Sequence, residues 1–210
     1  MKDLRREYAS RSLDEADTNR DPVAQFRVWF DEALKSHVID ANAMSLATAS
    51  SAGEPSVRTV LLKDLDAAGF VFFTQYDSAK GRDLAQNPRA SLLFYWAELE
   101  RQVRVSGQVT RVAREASAAY FASRPLDSQW AAWTATQSSE LPDRAALEQQ
   151  FAAVQQRYPE PPVPCPPDWG GYHVAAERIE FWQGRPGRLH DRLLYTRHDD
   201  GTWTRVRLAP

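Results

Sequence analysis

Arg188, His190 and Arg192 recur at every second position near the C-terminus, behind Gly184-Arg185-Pro186-Gly187, a connection that suits a tight turn. In a strand over residues 188–197 the two-residue period puts both guanidiniums and the imidazole on one face. Such a face repels itself unless an anion or polar ligand lies over it. The same hairpin sets Trp182 almost across from Arg188, giving the aromatic wall beside cationic donors that a flat, charged cofactor needs. An edge strand with its charges in water is the alternative reading of these residues taken alone.

Similar groups occur upstream. The run Arg58-Thr59-Val60-Leu61-Leu62-Lys63 has a cation at each end of a strand, on opposite faces if the strand is regular. The two cations then serve two different anions unless a bulge re-aims one; a barrel strand with solvated ends also accounts for the run. Tyr120 and Arg124 stand four apart and share a helix face. Pro125 ends that helix and can open another, whose first turn holds Ser128 near free backbone N–H groups. Phenol, guanidinium and hydroxyl together form a phosphate receptor, with plain helix-end capping as the alternative. Phe73-Thr74 at a strand end, with Lys80 at the next helix start, suits a second phosphate, although a lone lysine there can be a solvated charge. Gln102 and Gln137-Ser138 supply neutral groups of the kind that read the edge of a heterocycle.

The elements that must position these groups follow from the apolar pattern. Residues 1–19 are mostly polar and read as an arm. Asp21 as N-cap and Pro22 in the first turn open a helix whose apolar positions Val23, Phe26, Phe30, Ala33 and Leu34 recur at helical spacing. Strand-like runs follow at 43–49, 56–63, 70–74 and 90–95, with a helical insert at 78–87, and alternation resumes at 101–112. Short connections make this half a meander that could curl into a small barrel. Residues 114–158 are helical with breaks at Pro125 and near Pro142, and final strands are expected at 172–182, 188–197 and 203–208. The fold expected is mainly β with flanking helices, an antiparallel α+β arrangement, with residues 20–210 as one domain.

Composition removes several function classes. With 26 Lys and Arg against 28 Asp and Glu the net charge is −2, unlike a nonspecific nucleic-acid binder. No run resembles a membrane span or signal peptide, so a cytoplasmic protein is expected. The single cysteine, Cys165, lies among prolines, and His37, His173, His190 and His198 are scattered, so neither a disulfide nor a metal is expected. Without a glycine-rich phosphate loop, a nucleotide would have to be held by side chains.

Taken in order, Arg5-Arg6-Glu7-Tyr8, residues 58–63, Phe73-Thr74, Glu100-Arg101-Gln102-Val103, Tyr120-Phe121 with Ser123-Arg124-Pro125, Asp127-Ser128-Gln129, Gln137-Ser138-Ser139, Trp169-Gly170-Gly171, residues 180–192 and Arg207-Leu208-Ala209-Pro210 resemble the pyridoxine/pyridoxamine 5'-phosphate oxidase family nearly end to end. The resemblance implies an FMN-binding split β-barrel homodimer, with two clefts that each draw on both chains. It assigns FMN binding to Arg58, Thr59, Val60, Leu61, Leu62, Lys63, Phe73, Thr74, Lys80, Gln102, Gln137, Ser138, Trp182 and Arg192. It assigns substrate binding to Lys63, Tyr120, Arg124, Ser128, Arg188, Leu189 and His190, with Arg5, Arg6, Glu7 and Tyr8 as a lid. Two departures stand out: Phe73 where the family typically has Tyr, and Ala79 where it has Arg, which removes one FMN phosphate contact and weakens binding.

The implied reaction is oxidation of pyridoxamine or pyridoxine 5'-phosphate to pyridoxal 5'-phosphate, with hydride passing to the flavin and O2 as final acceptor. Arg188 and His190 are the candidate catalytic residues. A guanidinium is no proton acceptor at neutral pH, so Arg188 orients and covers the substrate, while His190 either takes a proton or only positions. A split-barrel protein that binds flavin or pyridoxal phosphate without turnover is the alternative.

Overall fold

The computed structural model describes residues 11–210. Helix α1 (Pro22–Lys35) begins as the sequence predicts, with the Asp21 carboxylate accepting from the Val23 N–H and Pro22 in the first turn, where a missing N–H is harmless. It lays Phe26, Trp29 and Ala33 into the core, Phe26 meeting Phe70 edge-to-face at 4.9 Å. Each aromatic side chain so buried contributes on the order of 1.5–3 kcal/mol through lost contact with water.

One antiparallel sheet of nine strands carries the rest: β1 (Ala43–Ala49), β2 (Pro55–Leu61), β3 (Asp64–Leu65), β4 (Gly69–Gln75), β5 (Arg89–Trp96), β6 (Arg101–Arg111), β7 (Trp169–Gln183), β8 (Asp191–Arg197) and β9 (Trp203–Arg207). The order is β2-β1-β5-β6-β7-β4-β3, with β8 on β7 and β9 on β8. This is the antiparallel α+β, split-barrel class expected. The curl is not closed within the first half, however: β4 pairs along its whole length with the first part of β7, Gly69 opposite Ala175 through Gln75 opposite Trp169. Short turns specify hairpins, but a partner about a hundred residues away leaves no local signal.

β7 is the spine of the molecule. It takes β6 along one edge, and on the other edge β4 at its start and β8 at its end. Its fifteen residues reach up to about 50 Å at full extension. The β6–β7 register shifts between Ser106 and Gly107, and a Cβ at Gly107 would lie 1.7 Å from the Ala175 carbonyl oxygen, so only glycine passes there.

Helix α2 (Ala79–Gln86) is capped by Ser78, whose Oγ accepts from the Gly81 N–H. Helices α3 (Arg114–Ala122), α4 (Leu126–Thr134) and α5 (Arg144–Arg157) follow β6, with breaks at Pro125 and before Asp143 as the sequence indicates. Phe121, Val163 and Trp169 form a second, smaller apolar cluster there, with Phe73, Tyr120 and Trp130 against it. Residues 11–19 dock on the far end of the sheet: Leu13 is buried, its N–H donates to Asp191 and its carbonyl accepts from Arg207. The lid residues Arg5, Arg6, Glu7 and Tyr8 lie outside the described residues. No described helix is long and apolar enough to cross a membrane.

Candidate active site

A cleft of about 900 Å³ opens between β2, the end of β4, the start of α2 and the α3–α4 pair. Arg58, Thr59, Val60, Leu61, Lys63, Phe73, Thr74, Lys80, Tyr120, Arg124, Ser128, Gln137 and Ser138 all line it. Arg58 and Lys63, at the two ends of this run, therefore border the same cleft. β2 is an edge strand, so residues from both of its faces border the cleft; the Leu62 side chain enters the core, and beyond it the chain leaves β1 for β4, the Lys63 N–H donating to the Val71 carbonyl.

Two cationic centres stand in this cleft. In the first, the buried Lys80 ammonium donates to Gln137 Oε1 at 2.6 Å, Thr74 Oγ1 at 3.1 Å and Ser78 Oγ at 3.3 Å, all neutral oxygens. Burial, helped by the charge of Arg58, pushes its pKa down to about 8. Arg58 donates to Thr48 Oγ1, the Leu46 carbonyl and Ser56 Oγ. Both hydroxyls in turn donate to Asp83 of α2, which stands 3.9 Å from the guanidinium and holds it at one remove. A buried ammonium among neutral oxygens, beside a guanidinium, fits a phosphate dianion. Ala79, at the first position of α2, lines the same wall and supplies no side-chain donor.

The second centre is Arg124, just past the end of α3. Its guanidinium lies 4.8 Å from the centre of the Trp169 ring, and burial pulls its pKa down. Nη1 is buried with no hydrogen-bond partner among the described residues. An unpaired N–H of a buried cation is costly and is relieved by an anion. Tyr120 stacks on Phe73 at 4.0 Å and Ser128 sits in the first turn of α4, so Tyr120, Arg124 and Ser128 line one wall of the cleft.

The remaining predicted residues form a separate group. Tyr95, Gln102, Trp182 and Arg192 are successive register partners across β5, β6, β7 and β8 and so occupy one row on one face of the sheet. Trp182 thus faces Arg192, not Arg188. Pro186–Arg188 is a 3-10 turn in which Gly187 and Arg188 have φ of 64° and 62°, and β8 begins only at Asp191. The two-residue period that grouped Arg188 with His190 and Arg192 does not run through this left-handed turn. Arg188 and Leu189 are exposed. His190 lies with its ring 4.7 Å from Trp182, and its Nδ1 accepts from the Arg185 N–H at 3.1 Å. Arg192 donates to Glu180 at 2.8 Å and to the Ala209 carbonyl. None of these residues lines the cleft, which adjoins the opposite end of β7.

Sequence reading missed Asp83, Glu180, Trp169 as the platform of Arg124, and Gln75, which also lines the cleft. Glu180 alone left a signal, alternating with Trp182 on one strand face. Burial raises the Cys165 thiol pKa, consistent with an inert cysteine. No group of three metal-ligating side chains occurs among the described residues.

A model of the family described as pyridoxamine 5'-phosphate oxidase matches residues 30–158, and one of the pyridoxine 5'-phosphate oxidase C-terminal dimerisation region matches residues 169–210. The chain belongs to the pyridoxamine 5'-phosphate oxidase family. It is an FMN-dependent oxidase of that type. A pyridoxine/pyridoxamine 5'-phosphate oxidase of Ralstonia pickettii (strain 12J) is 59% identical over 99% of this chain and 98% of its own length. A namesake from Rubrobacter xylanophilus is 55% identical over 99% and 95%. Among solved structures, PhzG from Burkholderia lata 383, in complex with tetrahydrophenazine-1-carboxylic acid, is 30% identical, with a TM-score of 0.90 over 96% of this chain and 99% of that one.

Proposed function

We propose that the chain oxidises pyridoxamine 5'-phosphate and pyridoxine 5'-phosphate to pyridoxal 5'-phosphate, as a cytoplasmic homodimer in which the row of one chain completes the cleft of the other. The observation that carries this reading is a single cleft with two cationic centres that lack a carboxylate in contact, Lys80 and Arg124, enough for one cofactor phosphate and one substrate phosphate. FMN, held by the residues named below, would supply the redox chemistry, carrying two electrons from the substrate to O2.

Lys80, Arg58, Thr74, Gln137 and Ser138 hold the cofactor phosphate, and residues 59–61 with Phe73 line its path, with Leu62 packed in the core behind them. Gln102, Trp182 and Arg192 contact it from the second subunit. Lys63, Tyr120, Arg124 and Ser128 clamp the substrate phosphate and so fix the angle of the transferred hydrogen. Arg188, Leu189 and His190 cover the substrate, with Arg5, Arg6, Glu7 and Tyr8 as a lid. Because Nδ1 of His190 accepts from a backbone N–H, the neutral ring carries its proton on Nε2 and offers a donor. His190 thus positions the substrate through that donor.

The deciding experiment adds pyridoxamine 5'-phosphate to the FMN-loaded protein without oxygen. The flavin should bleach as water replaces the amine, with one pyridoxal 5'-phosphate and one ammonia formed per flavin, and readmitted O2 should restore the yellow colour with one H2O2. A bound flavin that stays yellow with both phosphates but bleaches with a tetrahydrophenazine carboxylate would overturn the substrate assignment; one that bleaches with neither would make the protein a flavin carrier.

A further inference from the structure

At the end of β4 the Gln75 side chain is buried, and its carboxamide is spent on holding other elements. Nε2 donates to the carbonyls of Ala132 and Ala135, both at 2.9 Å, and Oε1 accepts from the Gln137 N–H at 2.5 Å. The two carbonyls belong to the last turn of α4 and its C-cap, groups that a helix end leaves without intrahelical donors. The Gln75 backbone carbonyl also accepts from Ser78 Oγ, the N-cap of α2. One residue therefore joins the strand bearing Thr74, the start of the helix bearing Lys80, the end of the helix bearing Ser128, and the loop bearing Gln137.

We propose that Gln75 is a positioning residue of the cleft, fixing the distance between its two cationic centres by pinning α4 and the Gln137 loop to β4. It acts through Gln137, whose Oε1 receives both Lys80 and Thr74. Without the carboxamide, two helix-end carbonyls and one N–H lose their partners, and the loop no longer presents Gln137 to the lysine. The roles of the two centres rest on the function proposed above, but the pinning is tested without turnover.

The test titrates FMN into apoprotein and reads quenching of flavin fluorescence, for the unaltered chain, Gln75→Met, Gln137→Ala and the double variant. Met conserves length and removes all three hydrogen bonds. Gln75→Met should raise the FMN Kd about tenfold, as expected when buried polar partners are left unsatisfied. Its effect should largely vanish in the Gln137→Ala background, because residues acting through one contact are not additive. The KM for pyridoxamine 5'-phosphate should rise in parallel while kcat changes less. Gln75→Asn, which keeps the carboxamide one methylene short, should shift Kd in the same direction by a smaller factor and serves alone if the Met variant does not fold. An unchanged FMN Kd in a folded Gln75 variant, or full additivity with Gln137→Ala, overturns the proposal. Unaltered protein that binds FMN but does not oxidise the substrate would instead defeat the function reading, leaving the Kd comparison able to decide on Gln75.

Discussion

The cleft and the cross-strand row treat their cations in opposite ways. In the cleft, Lys80 is surrounded by neutral oxygens and Arg124 has a buried, unpartnered nitrogen. In the row, Arg192 is tied to Glu180, and Arg104 on the neighbouring strand leans on the same carboxylate. The cleft is left with positive charge for a ligand to neutralise, at the cost of burying it. In the row, by contrast, each of these guanidiniums already has a carboxylate in contact.

The largest break in that contrast should come from Arg124→Ala. Loss of a charge-assisted hydrogen bond costs about 1.5–3 kcal/mol, so kcat/KM for pyridoxamine 5'-phosphate should fall roughly 10- to 150-fold. FMN affinity should hardly move, and a matching loss of FMN affinity would show that the two centres are not separate.

Lys80 offers a sharper test through pH. FMN affinity should be full below pH 8 and fall above it, by up to about tenfold per unit, as the ammonium that meets the phosphate is lost. Stability of the apoprotein should move the other way. The folded pKa lies below the ordinary lysine value of 10.5, so the unfolded chain binds more protons between about pH 8 and 10.5, and stability rises across that window. Ala79→Arg, which adds a donor whose charge does not titrate, should flatten the affinity profile; flavin titrations at pH 7 and 9 would read it.

A smaller effect is expected on the row. Glu180→Gln keeps a hydrogen bond to Arg192 and removes the charge, and FMN affinity should weaken about threefold to fivefold, in line with about 1 kcal/mol for such a partner. Smallest of all, Cys165→Ser should leave turnover within about twofold, since surface and loop changes away from special contacts stay within about 0.5 kcal/mol.

Legibility of these two regions in the sequence differs for physical reasons. Several features decided within a few residues were readable: the Asp21 and Pro22 helix start, the break at Pro125 and the spacing of Tyr120, Arg124 and Ser128. The cleft was accordingly found almost complete, because its parts sit at ends of elements where orphan backbone groups and charges declare themselves. Of the row, Gln102, Trp182 and Arg192 were named through the family resemblance, but the placing of Trp182 opposite Arg192 was not, since it depends on the left-handed turn at Gly187 and Arg188, which a period of two cannot register. Gln75 was invisible for another reason: a glutamine at a strand end carries no mark of which distant carbonyls it will meet.

The separation of cleft and row along β7 has a genetic consequence. If each site takes its cleft from one chain and its row from the other, a cleft-defective chain such as Arg124→Ala and a row-defective chain such as Arg192→Ala are each inactive in both sites of their own dimers. Paired in one dimer, they gather both lesions into one site and leave the other wholly unaltered. Random pairing of the two in a cell should therefore restore up to about one quarter of full activity from two crippled alleles. Two cleft lesions combined, whatever their positions, should restore none.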